Sequence, residues 1–253
     1  MSDAMTIDGL VVCVNYADLL AKSLAAWMQA LDSLTVVTTP EDEATRCLAH
    51  AAGWGSHGAR IHLHLTTVFT ADGATFNKAA AMQQAIDLTM PWREWILLLD
   101  GDIVPPPNLR ELLELEQLVP GHLYGGVRHL GEPADAHRPA TDFPELTGRG
   151  QKIPGAFQLF HVNDAYIPAD RSQLLNTTWK HAGCYDTEFQ RRWPRDRLIR
   201  IDSIHYLHLG VPGTNWWGRT DPEIGLQRRQ AMLDERARRG GSSAHERIGG
   251  EPT

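Results

Sequence analysis

The chain has 253 residues, 42% hydrophobic and 22% charged, with 31 acidic against 24 basic side chains and a formal net charge of −7. That length suits one large α/β domain with a sizeable core, and the acidic balance argues against a surface devoted to nucleic acid while leaving room for a local basic patch. Cys13, Cys47 and Cys184 are widely spaced and form no Cys-x-x-Cys pair, which reads as reduced thiols; Met1–Asp8 carry no basic segment leading into an apolar core, and no run reaches the ~18 residues of a membrane span, so the expected location is the cytoplasm.

Leu10–Val14 reads as a first buried strand closed by the polar pair Asn15-Tyr16, and Asp18 as the cap of a helix with Leu19, Leu20, Leu24, Trp27, Met28 and Leu31 at helical spacing. A second strand over Leu34–Thr39 ends in Pro40-Glu41-Asp42, a helix runs from about Glu43 to Ala51, and Ile61–Leu65 alternates as a third strand. A helix over Thr75–Leu88 precedes the unbroken apolar run Trp95-Ile96-Leu97-Leu98-Leu99, which predicts a strand buried on both faces at the centre of a parallel sheet. This strand–helix alternation predicts βαβ units with right-handed crossovers.

At the carboxyl end of the apolar run stand Asp100 and Asp102, separated by Gly101. Ligands of open α/β sheets bind beyond the carboxyl ends of the strands. Two oxygen ligands there suit Mg²⁺ or Mn²⁺ and, through the metal, a diphosphate. Asp and Gly also favour plain polar turns, so the local signal alone leaves both readings open.

After the carboxylates the rhythm changes. Asn108–Leu118 is an amphipathic helix, His122–Leu130 a strand interrupted by Gly125-Gly126, and Gly131–Lys152 a long aperiodic loop. Ala156–Val162 reads as a strand facing the same crevice, Arg171–Trp179 as helical, and Leu198–Leu209 as the last strand, carrying His205 and His208. From about Ala237 the chain is rich in Arg, Gly and Ser and is expected to be a flexible tail.

Four stretches then come in an order that resembles the GT-A fold nucleotide-sugar glycosyltransferases of the family 2 type: Phe76-Asn77-Lys78-Ala79-Ala80-Ala81-Met82, the Asp-Gly-Asp motif, Pro154-Gly155-Ala156-Phe157-Gln158-Leu159-Phe160, and Tyr185-Asp186-Thr187-Glu188-Phe189. In the last, Tyr185 stands where that family usually has Glu. The resemblance implies a single α/β domain of the GT-A type, with a mostly parallel central sheet flanked by helices. Residues 1–104 would form the donor-binding half, 105–236 the acceptor-binding and catalytic half, and 237–253 the tail.

It implies a metal-dependent inverting hexosyltransferase using a UDP-hexose. Asp102 would bind Mn²⁺ or Mg²⁺ directly, Asp100 would contact the donor ribose or reach the metal through water, and His208 would be the third metal ligand, unless it is a hydrogen-bonded core residue. His205, three residues away, would point to the opposite face of a strand. Asp186 aligns with the family's general base, Glu188 is the substitute, and Asp186 as a mere helix cap is the plainer reading.

Asn15 and Tyr16 would lie beside the nucleoside, and Thr38, Thr39 and Glu41 near the base or ribose. Lys78, in the first turn of a helix, would favour phosphate. Arg219 and the Trp216-Trp217 pair would form a lid, or else the pair fastens the carboxyl-terminal segment to the core. The arginines of Arg191–Arg200, with a second set at Arg228, Arg229, Arg236, Arg238 and Arg239, either track a phosphate backbone or form solvated faces. The acceptor is accordingly a saccharide or small hydroxylated compound, or a hydroxymethylated pyrimidine in DNA, which some phage enzymes resembling this family modify. A nucleotidyltransferase fits less well, because Asn15-Tyr16-Ala17-Asp18 lacks the glycines of a phosphate loop. A catalytically silent glycan- or nucleic-acid-binding protein on the same fold is the alternative from another class.

Overall fold

The computed structural model describes residues 5–54, 60–146, 153–183, 185–209 and 234. In chain order the elements are β1 (Ile7–Val12), α1 (Ala17–Ala30), β2 (Ser33–Thr38), α2 (Glu43–Trp54), β3 (Arg60–Leu65), α3 (Lys78–Leu88), β4 (Trp95–Asp100), β5 (Ile103–Val104), α4 (Leu109–Leu115), β6 (Leu123–Gly131), β7 (Phe157–His161), α5 (Tyr185–Gln190) and β8 (Leu198–Leu209). Short 3₁₀ turns fill several of the connections. The described strands form one eight-stranded sheet in the order β3-β2-β1-β4-β7-β6-β8-β5.

The sheet has two parts. β3, β2, β1 and β4 are parallel, as the strand–helix alternation predicts. β7 then runs antiparallel to both β4 and β6, β8 lies parallel to β6, and β5 pairs antiparallel with the far end of β8. The central strand explains its own composition. Leu97 and Leu99 pack into the core on one face with Trp27 and Phe157, while Ile96 and Leu98 pack into the core on the other with Met82 and Phe160. A strand between two helical layers has no solvent side, so period-two alternation disappears.

Several boundaries depart from the sequence expectation. Asp18 does not cap α1; Tyr16 holds the cap position and Asp18 lies in the first turn, where its charge still suits the helix dipole. The helix expected from Thr75 starts at Lys78, because the Asn77 side chain caps it by accepting from the Ala80 amide at 2.9 Å. The preceding Thr75 and Phe76 amides both donate to the Lys180 carbonyl oxygen.

The expected helix over Arg171–Trp179 is only a 3₁₀ turn at Arg171–Gln173. Beyond it, Asn176 turns the chain by accepting from both the amide and the hydroxyl of Thr178, a local bond that competes with helix. The glycine pair does not break β6. A bulge falls between Gly126 and Val127, and a Cβ on Gly126 would lie 2.7 Å from the Ile204 carbonyl oxygen, so Gly126 permits β6 to lie close against β8, while Gly125 leaves room for Ile153. The described part of the long loop holds 3₁₀ turns at Pro133–Asp135 and Ala140–Asp142, and Glu145 bridges back to His129.

Candidate active site

Strand register assembles the site. Val12 of β1 pairs with Asp100 of β4, which sets both strand ends at one edge of the sheet. From the other side, Ile103 pairs with His208, and the Leu209 amide donates to the Asp102 carbonyl oxygen at 2.8 Å. This short antiparallel pairing carries His208 to the Asp motif across more than a hundred residues of sequence. Ligand atoms of Asp100, Asp102 and His208 all lie within 4.8 Å of one another.

The donor set suits a divalent cation. It combines two carboxylates with an imidazole, a mixture that Mn²⁺ accepts. His208 Nε2 lies 3.6 Å from Asp102 Oδ2, longer than a hydrogen bond, and the buried Nδ1 has no hydrogen-bond partner among the described residues. A buried histidine serving only the core would be expected to have one. His205, as strand parity requires, instead bonds to His129.

A cleft at the two aspartates is lined by Asp100 and Asp102 with Val12, Tyr16, Lys78, Tyr185 and Asp186, among others, and His208 lies outside its lining. Lys78, the first residue of α3, does not stand free for a phosphate as its position suggests. Its ammonium is bonded to Asp100 and lies 5.2 Å from the centre of the Tyr185 ring. Burial by itself would lower the Lys78 pKa, but the Asp100 charge and the Tyr185 side chain outweigh it and hold the group above the ordinary lysine value. Tyr185 is buried as well, and burial pushes its phenol up. The sequence marks it only as a departure from the family pattern.

Asp186 sits in the first turn of α5 and lines the cleft. Burial raises its pKa, the Asp100 charge raises it further, and bonds from backbone amides pull the other way. Its carboxylate occupies the space over Gly155, where a Cβ would fall 1.8 Å from Oδ2. Glu188, the substitute base, is elsewhere. Asn176 Nδ2 donates to its two oxygens at 3.1 and 3.0 Å, Trp179 Nε1 donates to it as well, and it does not line the cleft. Residues two apart on a helix do not face the same way.

Among the expected nucleoside contacts, Tyr16 lines the cleft. Thr38 is buried, and its hydroxyl donates to Asp42 Oδ2 at 3.1 Å. Asn15 and Glu41 are exposed beside it, Asn15 at a positive φ of 61° with its amide donating to Asp42 at 2.6 Å. Asp42 also caps α2 through the Thr45 amide and hydroxyl, so one carboxylate gathers the ends of β1 and β2 and the start of α2. The sequence reading passed over it; the available signal was an Asp at a strand–helix junction with Thr three residues on.

In the arginine cluster, Arg192 donates to the Gln173 and Leu174 carbonyl oxygens, Arg197 bonds His122, and Arg200 bonds Glu145 and Asp202. These three guanidinium groups thus have partners within the chain, while Arg191, Arg195, Arg197 and Arg200 all remain exposed. Cys184, Trp216, Trp217, Arg219 and the arginines from Arg228 onward lie outside the described residues.

No protein-family model matches the sequence, and no curated protein matches it. Solved structures do. Glucosyl-3-phosphoglycerate synthase from Mycobacterium tuberculosis, in complex with Mn²⁺, UDP and phosphoglyceric acid, is similar with a TM-score of 0.53 and 14% identity, over 90% of this chain and 78% of that one. The same enzyme with Mn²⁺, UDP and glucosyl-3-phosphoglycerate gives a TM-score of 0.52 at 14% identity, over 90% and 79%. HddC from Yersinia pseudotuberculosis gives 0.50 at 8% identity, over 81% of this chain and 94% of that one. At such identities the likeness is one of fold, and in fold the chain is a single α/β domain of the GT-A type.

Proposed function

We propose that the protein is a metal-dependent inverting glycosyltransferase, moving a hexose from a UDP-sugar to an acceptor hydroxyl. The observation that carries this reading is the convergence of Asp100, Asp102 and His208 at the carboxyl end of the sheet, with Asp186 lining the same cleft as the two aspartates.

Asp102 and His208 would hold Mn²⁺ or Mg²⁺, and Asp100 would complete the set or contact the donor ribose while Lys78 fixes its carboxylate. A divalent cation there supplies positive charge to the diphosphate that leaves. Asp186 would take the proton from the acceptor hydroxyl as that oxygen attacks the sugar carbon from the face opposite the leaving group, which inverts the configuration. Its raised pKa makes it a better proton acceptor than an ordinary carboxylate. Tyr16 would line the nucleoside end, with Asn15, Thr38, Thr39 and Glu41 at its rim, and Arg219 would neutralise phosphate from the segment after β8. Residues up to 104 then act as the donor half and the following residues as the acceptor half.

UDP is the proposed nucleotide because the M. tuberculosis enzyme of like fold was solved with UDP and Mn²⁺. The net charge of −7, with Arg192, Arg197 and Arg200 each bonded within the chain, supports a saccharide or small hydroxylated acceptor over modified DNA. Among the described residues no helix is long and apolar enough to cross a membrane, and a cytoplasmic location is part of the proposal.

The test is release of UDP from UDP-hexoses with Mn²⁺, alone and with panels of saccharide and modified-DNA acceptors. Release should fall to background in Asp102→Ala. Release that persists in Asp102→Ala, or pyrophosphate formed from a nucleoside triphosphate, would overturn the assignment. Glycan binding with no metal-dependent affinity for UDP would point instead to a silent binding protein.

A further inference from the structure

A second concavity shares no lining residue with the cleft. It holds about 720 Å³ between the outer face of α1, the proline run after β5, the 3₁₀ turns after β6, and β8. That volume falls within the range usual for small-molecule sites. Its floor is apolar, made of alanines from α1, Pro105, Pro106, Pro107 and Leu207. Its ionisable side chains are Lys22, His137, Arg138 and His205, with no carboxylate among the described lining residues, although the whole chain carries a net charge of −7. Lys22 is exposed and has no ion pair among the described residues, whereas Arg138 shares its charge with Asp135 and Asp142.

A hydrogen-bond relay orients one wall. His129 Nδ1 lies 2.8 Å from the Phe143 carbonyl oxygen, which can only accept, so Nδ1 carries the hydrogen. In neutral His129 that leaves Nε2 as an acceptor, and His205 Nδ1, 2.9 Å away, donates to it. Nε2 of His205 is therefore the nitrogen left for a ligand, and in this tautomer it is an acceptor on the groove wall, suited to a donor group of the bound molecule. His205 and Leu207 lie on the side of β8 opposite His208, so the groove and the candidate metal ligands are separated by the strand itself.

We propose that this groove is a second ligand site, taking an amphipathic organic anion whose apolar body lies on the alanine and proline floor and whose carboxylate, sulfonate or phosphate meets the basic side chains. Apolar lining with a few convergent polar groups is the usual composition of such sites, and with Arg138 already paired to Asp135 and Asp142 the charge that meets the anionic head comes chiefly from Lys22. The proposal is independent of the glycosyl-transfer reading.

The test uses the full-length protein without metal or nucleotide and the fluorescent aryl sulfonate 8-anilinonaphthalene-1-sulfonate as probe, with uncharged N-phenyl-1-naphthylamine as its neutral counterpart. We expect one saturable site for the sulfonate and binding of the neutral compound at least tenfold weaker. Lys22→Glu, a change at an exposed helix position, should weaken the sulfonate about tenfold, Ala26→Trp should fill the groove and abolish binding, and Asp102→Ala should leave it unchanged. Equal affinity for the neutral compound, an affinity indifferent to Lys22→Glu, or a loss in Asp102→Ala would each overturn the proposal, the last by placing the probe in the cleft. Lys22→Glu keeps the test decisive should Ala26→Trp fail to fold.

Discussion

Asp186 is subject to opposing demands. As a base it must be ionised, yet burial disfavours the ionised form. A carboxylate whose pKa is higher in the folded than in the unfolded chain costs stability once pH rises through the folded value, and costs nothing below the unfolded value of about 3.9. Asp186→Asn keeps the shape and removes the charge. It should therefore raise the melting temperature at pH 7 to 8, with the difference from the parent shrinking toward zero as pH falls to that of a free carboxylate. Transfer should drop about 10²- to 10⁴-fold in the same variant. The acidic limb of kcat/KM in the parent should lie above the ordinary carboxylate range. Calorimetry across pH, together with UDP release, checks both halves. A variant that loses activity and stability together would mean that Asp186 is chiefly a structural residue.

Among the elements, the junction of β1, β2 and α2 depends on Asp42. Its carboxylate receives the Asn15 amide, the Thr38 hydroxyl and both donors of Thr45, and it is buried. Loss of a helix cap costs ~1 kcal/mol, and about 2 kcal/mol where the cap is well used; here the Asn15 and Thr38 donors would be stranded as well. Asp42→Ala should accordingly lower unfolding free energy by about 2–3 kcal/mol in urea titrations. Because Asp42 holds the Asn15 amide, next to Tyr16 in the cleft, the same variant should raise KM for the donor more than it lowers kcat. The pairing of β5 with β8 matters as much to the site, since a two-residue strand sets the His208 side chain against Asp102.

Across the whole molecule, the proposed metal ligands come from segments far apart in sequence, and a cation bound to all of them would join the two parts of the sheet. A ligand that binds only the folded state stabilises it by RT ln(1 + [L]/Kd), about 2.7 kcal/mol at a hundredfold excess over Kd. Mn²⁺ should raise the melting temperature of the parent, and EDTA should reverse the rise. His208→Ala should abolish the rise while leaving the apo protein close to the parent in stability. A shift that survives in His208→Ala would remove that residue from the ligand set.

Much of this was written locally in the chain. Trp95–Leu99 announces a doubly buried strand because every residue of it is apolar, and Asp100-Gly101-Asp102 places acid where such strands present their ligands. The span Leu198–Leu209 is read to its bounds because apolar positions recur through it. The sequence by itself thus determined the parallel half of the sheet, the position of the acid motif and the opposite facing of His205 and His208, since period and turn chemistry act over a few residues. Only the tertiary structure decided that Lys78 is committed to Asp100, that Glu188 is held by Asn176 and Trp179 away from the cleft, and that Thr38 turns inward to Asp42. Each of these is a contest between partners brought together by folding, and burial and geometry, which no local pattern records, decide which pairing wins.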